Sequence, residues 1–193
     1  HLDSLGHYND QVFLMAGASG GSLGQGLYTY MKAQGLSPAQ IKSVIKRLID
    51  MNFVSGDLAG VMTRWPYGMI PDIANWPERT QDRMEAMTET YFNTIQEVVD
   101  QPTNDTNNWS YEQLRQKPYA SLWADRDQAA VPHLPAFIAN SARAEDGVKA
   151  WSHPFAVDPY LSAGAVDLST YVDATDTTYI SYPDALFLTN RFP

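Results

Sequence analysis

Apolar positions along the chain recur in a few distinct patterns, and each pattern predicts a different element. Gln11-Val12-Phe13-Leu14-Met15-Ala16 is a short apolar run between a polar loop and a glycine-rich stretch, which predicts a strand buried on both faces. Gly17 to Gly21 reads as a turn. From Ser22 to Gln34 the residues Leu23, Leu27, Tyr30 and Met31 fall at spacings of three and four, so a helix follows the turn directly. Gly24 and Gly26 would let its first turns pack close to the sheet.

Ser37-Pro38 is a cap residue followed by proline at the first helical position, and it opens a second helix with Ile41, Val44, Ile45, Leu48 and Ile49 on one face. Between Asn52 and Trp76, glycines and prolines alternate with aromatics. That stretch predicts irregular structure over something apolar, with Trp65, Tyr67, Met69, Ile70 and Trp76 as a candidate lipid-facing lid. Pro77 to Val99 carries the longest helical stripe: Met84, Met87, Tyr91, Ile95 and Val98. Such a stripe reads as core, although its methionines could also touch acyl chains. After a polar loop from Gln101 to Ser110, Tyr111 to Trp123 predicts a helix broken near Pro118. Ala136-Phe137-Ile138-Ala139-Asn140 predicts a second strand, with Trp151 to Val157 pairing nearby, and Tyr182-Pro183 opens a short helix that stops before Phe192-Pro193.

Composition narrows the function classes. The 193 residues suit one domain, and 44% hydrophobic with 18% charged residues is ordinary for a globular chain. No window approaches the ~20 apolar residues of a membrane-spanning helix. A formal net charge of −9 disfavours nucleic acid, since only Lys42, Lys46 and Arg47 cluster. The absence of cysteine removes disulfides and thiolate chemistry without fixing a compartment. The chain starts at His1 with no signal-peptide pattern and reads as a mature or partial chain. Asn104-Asp105-Thr106 and Asn108-Trp109-Ser110 fit the glycosylation pattern, which also arises by chance in Asn/Thr-rich loops.

The chemistry concentrates in Gly17-Ala18-Ser19-Gly20-Gly21. An alcohol becomes a useful nucleophile when it projects from the backbone, meets a base and faces donors for the developing oxyanion. In a Gly-x-Ser-x-Gly elbow the glycines, Gly17 and Gly21 here, remove side chains from a sharp strand-to-helix turn, and Ser19 is left exposed in strained dihedrals. The backbone N–H of Gly20 would then face the oxyanion, aided by the positive end of the following helix. The bland alternative is a flexible or phosphate-holding turn.

Met15-Ala16-Gly17-Ala18-Ser19-Gly20-Gly21-Ser22-Leu23-Gly24 resembles the nucleophile segment of the patatin-like phospholipases and related cytosolic phospholipases. Leu134 to Ala142 is similar to the family's later core strand, and Ala185 to Pro193 to the helix and Arg-Phe-Pro stop before its catalytic aspartate. These stretches occur in the family's order and cover about a third of the chain. The resemblance implies an α/β/α sandwich with a mostly parallel sheet and helices on both faces. It also implies a Ser–Asp dyad without histidine, and hydrolysis of acyl esters in phospholipids or neutral lipids through an acyl-enzyme on Ser19. No cofactor and no metal are implied. The partners are a lipid or ester substrate and, at the periphery, a membrane.

Two parts of the family pattern have no counterpart here. The glycine-rich oxyanion loop is not found in His1 to Asp10, and no Asp-Gly-Gly or Asp-Gly-Ala follows the Arg-Phe-Pro segment. Residues 1–193 are therefore expected to be one partial catalytic domain, completed by further segments or other chains, with a large apolar area exposed. Asp146-Gly147 lies before the Arg-Phe-Pro segment and reads as a hairpin turn. His133 and His153 could serve an ordinary Ser-His-Asp triad, but each reads more simply as a structural histidine. Asp173, Asp176 and Asp184 lack calcium-loop spacing and read as solvated.

Two rival functions stand beside the hydrolase. A non-catalytic, partner-binding subunit could keep the fold without the activity. A short-chain oxidoreductase is suggested by the glycine turn and the Tyr28/Lys32 pair. Against it, Leu23 replaces the third glycine, the Tyr-Lys pair falls on the first helix, and no acidic residue ends a second strand.

Overall fold

The computed structural model describes residues 11–51, 83–99, 109–124, 133–142, 146–158, 164–169 and 179–190. The candidate lid, Asp173, Asp176, the acceptor asparagines Asn104 and Asn108 of the glycosylation patterns, and the Arg191-Phe192-Pro193 stop lie outside them.

Strand β1 (Leu14–Ala18) runs into helix α1 (Ser19–Ala33), followed by α2 (Pro38–Asp50), α3 (Arg83–Val99) and two short helices, α4 (Tyr111–Arg115) and α5 (Ser121–Ala124). Then come β2 (Ala136–Ala142), β3 (Lys149–Ser152), β4 (Ala165–Asp167) and α6 (Tyr182–Asn190). The strands form one sheet in the order β1-β2-β3-β4. β1 pairs parallel with β2, Ala18 lying opposite Asn140; β2 and β3 are antiparallel; β3 and β4 are parallel. The result is an α/β fold on a mixed sheet.

Local chemistry explains α2 and α4. Ser37 caps α2 with its hydroxyl on the Gln40 N–H, and Gln40 Oε1 accepts from the Ser37 N–H at 2.9 Å. Ser110 and Gln113 repeat this reciprocal cap on α4, which Pro118 separates from α5. Each cap satisfies donors that a helix end leaves open.

The core lies between the sheet and the helices. Leu23, Leu27, Tyr30 and Met31 of α1 are all buried in it, as their spacing predicts. α1 packs against α6 at Gly26, where a Cβ would stand 2.9 Å from Leu186 Cδ1 and closer still to Cδ2, and Tyr182 Oη donates to the Gly26 carbonyl at 2.9 Å. Gly26 thus serves contact with a helix instead of the sheet, while Gly24 is exposed with open space beside it. Phe137 and Ala139 of β2 point into this core.

The apolar patterns need several corrections. β1 lies two to three residues nearer the serine than the apolar run, and among the described residues it is an edge strand. Phe13 is 86% and Leu14 44% exposed, so burial on both faces is not what this strand has. On α2 the buried stripe is Ile41, Val44 and Leu48, with Ile45 and Ile49 exposed, because the helix leans on α3 along a narrower line. On α3 the buried line is Thr88, Phe92, Ile95 and Val99, and Met87, Tyr91 and Val98 flank it half-buried. β4 had no sequence prediction.

Tyr30, Phe92, Tyr111, Tyr119, Trp123, Phe137 and Tyr182 join α1, α3, α4, α5, β2 and α6 in one network of ring contacts. Tyr119 Oη donates to the Phe137 carbonyl at 2.8 Å, so its hydroxyl is satisfied inside the core. Burial raises the pKa of both Tyr119 and Tyr182 above the ordinary tyrosine value of 10.0, with the Tyr182 charge adding to the effect on Tyr119. In the unfolded chain both ionise near pH 10, so the native state is fully favoured below that pH and loses stability as pH rises above it. We expect tyrosinate absorbance to appear together with loss of helical circular dichroism in an alkaline titration. Tyr182→Phe is expected to shift that alkaline transition to higher pH.

Candidate functional site

Ser19 stands at the junction where β1 ends and α1 begins, with a backbone φ of +52°. It is the one non-glycine with positive φ among the described residues. The left-handed conformation costs an L-residue about 1–2 kcal/mol, and such a residue persists where its surroundings impose it. Two contacts hold this junction. A Cβ at Gly17 would lie 2.7 Å from both the Cα and the N of Ser22 and 2.9 Å from the carbonyl carbon of Gly21. These are backbone atoms that cannot swing aside, so the strand end and the first helical turn meet at a distance only glycine allows. In addition, Asn140 Nδ2 donates to the Gly17 carbonyl at 2.9 Å, tying the elbow to the neighbouring strand.

Gly21 behaves differently from Gly17. A Cβ at Gly20 or Gly21 meets no atom within 4 Å, and neither residue has positive φ, so steric need for glycine falls on Gly17 alone. Among the elbow hydroxyls, Ser19 is exposed, whereas Ser22 is fully buried with no hydrogen-bond partner for its Oγ. A reagent from solvent meets Ser19.

The start of α1 is electrically open. Its N-cap is Ala18, which offers no side-chain acceptor, and its first turn holds no acidic residue. The first N–H groups, Gly20's among them, therefore carry the positive end of the helix dipole beside Ser19 with no compensation from the helix's own N-cap or first-turn side chains.

The other candidates lie elsewhere. His133 is exposed and precedes β2 at the end of the sheet opposite Ser19, since the Ala136 N–H bonds Phe13 at the start of β1. His153 follows β3, two strands away from β1, and is 2% exposed. Its backbone N–H donates to Ser169 Oγ at 2.6 Å and its ring stacks on Phe155 at 5.1 Å. Its Nε2 lies 3.1 Å from Asp167 Oδ2, an ion-pair distance without hydrogen-bond alignment. These contacts fasten β3 to β4 and do not reach Ser19. Asp146-Gly147 sits in the β2–β3 connection at the same end of the sheet as Ser19. There Gly147 has φ +69° and Asp146 Oδ1 accepts from the Val148 N–H at 3.0 Å, as a turn requires.

Asp184, read as solvated, has a side chain that is 40% exposed; it also accepts from Ser181 Oγ at 2.5 Å at the start of α6 and lies 3.9 Å from Arg115 Nε. The basic face of α2 is also partly engaged, through the exposed Arg47–Glu97 ion pair. A cavity of about 200 Å³ lined by Thr88, Tyr111, Arg115, Pro183, Asp184 and Phe187 lies among α3, α4 and α6, and Ser19 is not part of it. Tyr28 and Lys32 share α1 with the elbow and are half-buried.

Sequence reasoning assigned Asn140 no role. A lone polar residue near the end of an apolar strand was its signal, and only the register that sets it opposite Ala18 gives that signal meaning. Comparison of the chain with protein-family models, curated proteins and solved structures gives no match.

Proposed function

We propose that Ser19 is the nucleophile of a carboxylic-ester hydrolase acting on lipids, built on a patatin-like α/β/α sandwich. The observation that carries this reading is the left-handed φ of an exposed serine at a strand-to-helix junction. A serine kept in that strained state at the uncapped start of a helix has the features an elbow nucleophile needs.

In the proposed reaction, Ser19 Oγ attacks the ester carbonyl carbon while a carboxylate base takes its proton. The oxyanion of the tetrahedral intermediate faces the Gly20 N–H. Collapse breaks the bond to the alcohol, which leaves with the proton, and water then releases the acid from the acyl-serine by the same steps. In the resemblance, the base is an aspartate that follows the Arg191-Phe192-Pro193 stop. A site of this kind needs neither metal nor cofactor.

A second reading, a partner-binding subunit that retains the fold, draws support from the exposed Phe13 and Leu14 at the start of the edge strand. Turnover separates the two. The intact protein is expected to hydrolyse p-nitrophenyl esters and phospholipid vesicles, with both activities stopped by a fluorophosphonate. A folded protein without turnover of either substrate would favour the subunit reading.

A further inference from the structure

We propose that Asn140 is a positioning residue for the Ser19 nucleophile, an assignment that rests on the hydrolase reading. Its Nδ2 donates to the Gly17 carbonyl at 2.9 Å, joining residues 123 positions apart in the sequence. Asn140 occupies the position of β2 directly opposite Ala18, and its side chain crosses to the strand backbone two residues before Ser19. It lies on the half-buried face of β2, opposite the face that sends Phe137 and Ala139 into the core.

The consequence follows from the strain at Ser19. On the downstream side, Ser22, the buried residue of α1's opening turn, fixes the elbow, its backbone pressed against Gly17. On the upstream side, the Asn140 bond holds the Gly17 peptide. With both ends held, Ser19 cannot relieve its φ of +52° by rotating the preceding peptides, and its Cα–Cβ bond keeps one direction. With Asn140 replaced by a residue that donates nothing, those peptides can rotate and the hydroxyl leaves the line of attack. A displacement of about 1 Å in a reacting group can cost on the order of 10²-fold in rate, with binding little affected. Asn140 acts on Ser19 through the Gly17 carbonyl.

The donor requirement gives a test that a generic packing role would not pass. Asn140→Leu removes the donor at every pH. Asn140→Asp removes it while the carboxylate is ionised and restores an O–H donor when the carboxyl is protonated. The measurement is the rate constant for fluorophosphonate labelling of Ser19 in the intact protein and both variants between pH 4 and pH 8, each expressed as a ratio to wild type at the same pH.

At pH 8 both ratios are expected to be on the order of 10⁻². As pH falls, the Asn140→Asp ratio is expected to climb by at least about 10-fold while the Asn140→Leu ratio stays flat, with kcat and not KM changed for a short ester. Labelling of Asn140→Leu at the wild-type rate, or an Asn140→Asp ratio that does not change with pH, would overturn the assignment and leave the nucleophile reading standing. A wild-type Ser19 that does not label would overturn both.

Discussion

Ser19→Gly is expected to make the fold more stable while removing its reactivity. Glycine adopts a φ of +52° without the Cβ clash that serine meets there, so the substitution should return about 1 kcal/mol. For a chain of this size that corresponds to a rise in Tm of roughly 2–4 °C. Ser19→Ala keeps a Cβ and therefore keeps the strain, so its Tm should stay near wild type. Both variants lack the hydroxyl, and ester hydrolysis should fall by at least about 10⁴-fold in each. Thermal unfolding of the three proteins, followed by circular dichroism, measures the first effect and ester turnover the second. Equal stability of the Gly and Ala variants would mean that Ser19 is not strained.

Gly17→Ala is expected to act in the opposite direction. Its Cβ would press on the N and Cα of Ser22 at 2.7 Å, and neither atom can move without shifting the start of α1. Overpacking of this kind costs about 1–3 kcal/mol, and the upper end applies because backbone meets backbone. The expected fall in Tm is roughly 6–12 °C. Activity should fall as well, since the relief available to the chain is to swing the helix start, and with it Ser19, out of place. Gly21→Ala is the internal control. Its Cβ meets open space inside a helix, so it should be neutral or stabilising by up to about 1 kcal/mol. A Gly17→Ala protein as stable as Gly21→Ala would contradict the described junction.

These two positions also show where sequence reasoning succeeds and where it stops. The pattern around Ser19 announces an elbow because a strand, a glycine-flanked serine and an amphipathic helix are all local features. The cap at Ser37 is legible for the same reason, since its bond spans three residues. Local pattern could not separate the two elbow glycines, because the clash that requires Gly17 arises only when the helix folds back over the strand end. Asn140 was invisible as a partner because its contact crosses 123 residues.

The misread elements have a common cause. An apolar run such as Val12 to Ala16 says that a surface can be buried, and its neighbours decide whether it is. β1 is at the edge among the described residues, and Phe13, just before it, and Leu14, its first residue, stay exposed. Ile45 and Ile49 belong to the same hydrophobic periodicity as Ile41, but α3 covers only the Ile41-Val44-Leu48 line. β4, three residues long, has too few positions to show alternation and is a strand only through its pairing with β3. The turn at Asp146-Gly147 was legible because its hydrogen bond and its positive φ are local to it.

The most direct test of the central claim is fluorophosphonate labelling of the intact protein, with fragmentation of the peptide spanning residues 11–32 to locate the adduct. The prediction is a stoichiometric adduct on Ser19, none on the buried Ser22, and no labelling in Ser19→Ala. A folded wild-type protein that leaves Ser19 unmodified, or an adduct that persists in Ser19→Ala, would contradict it.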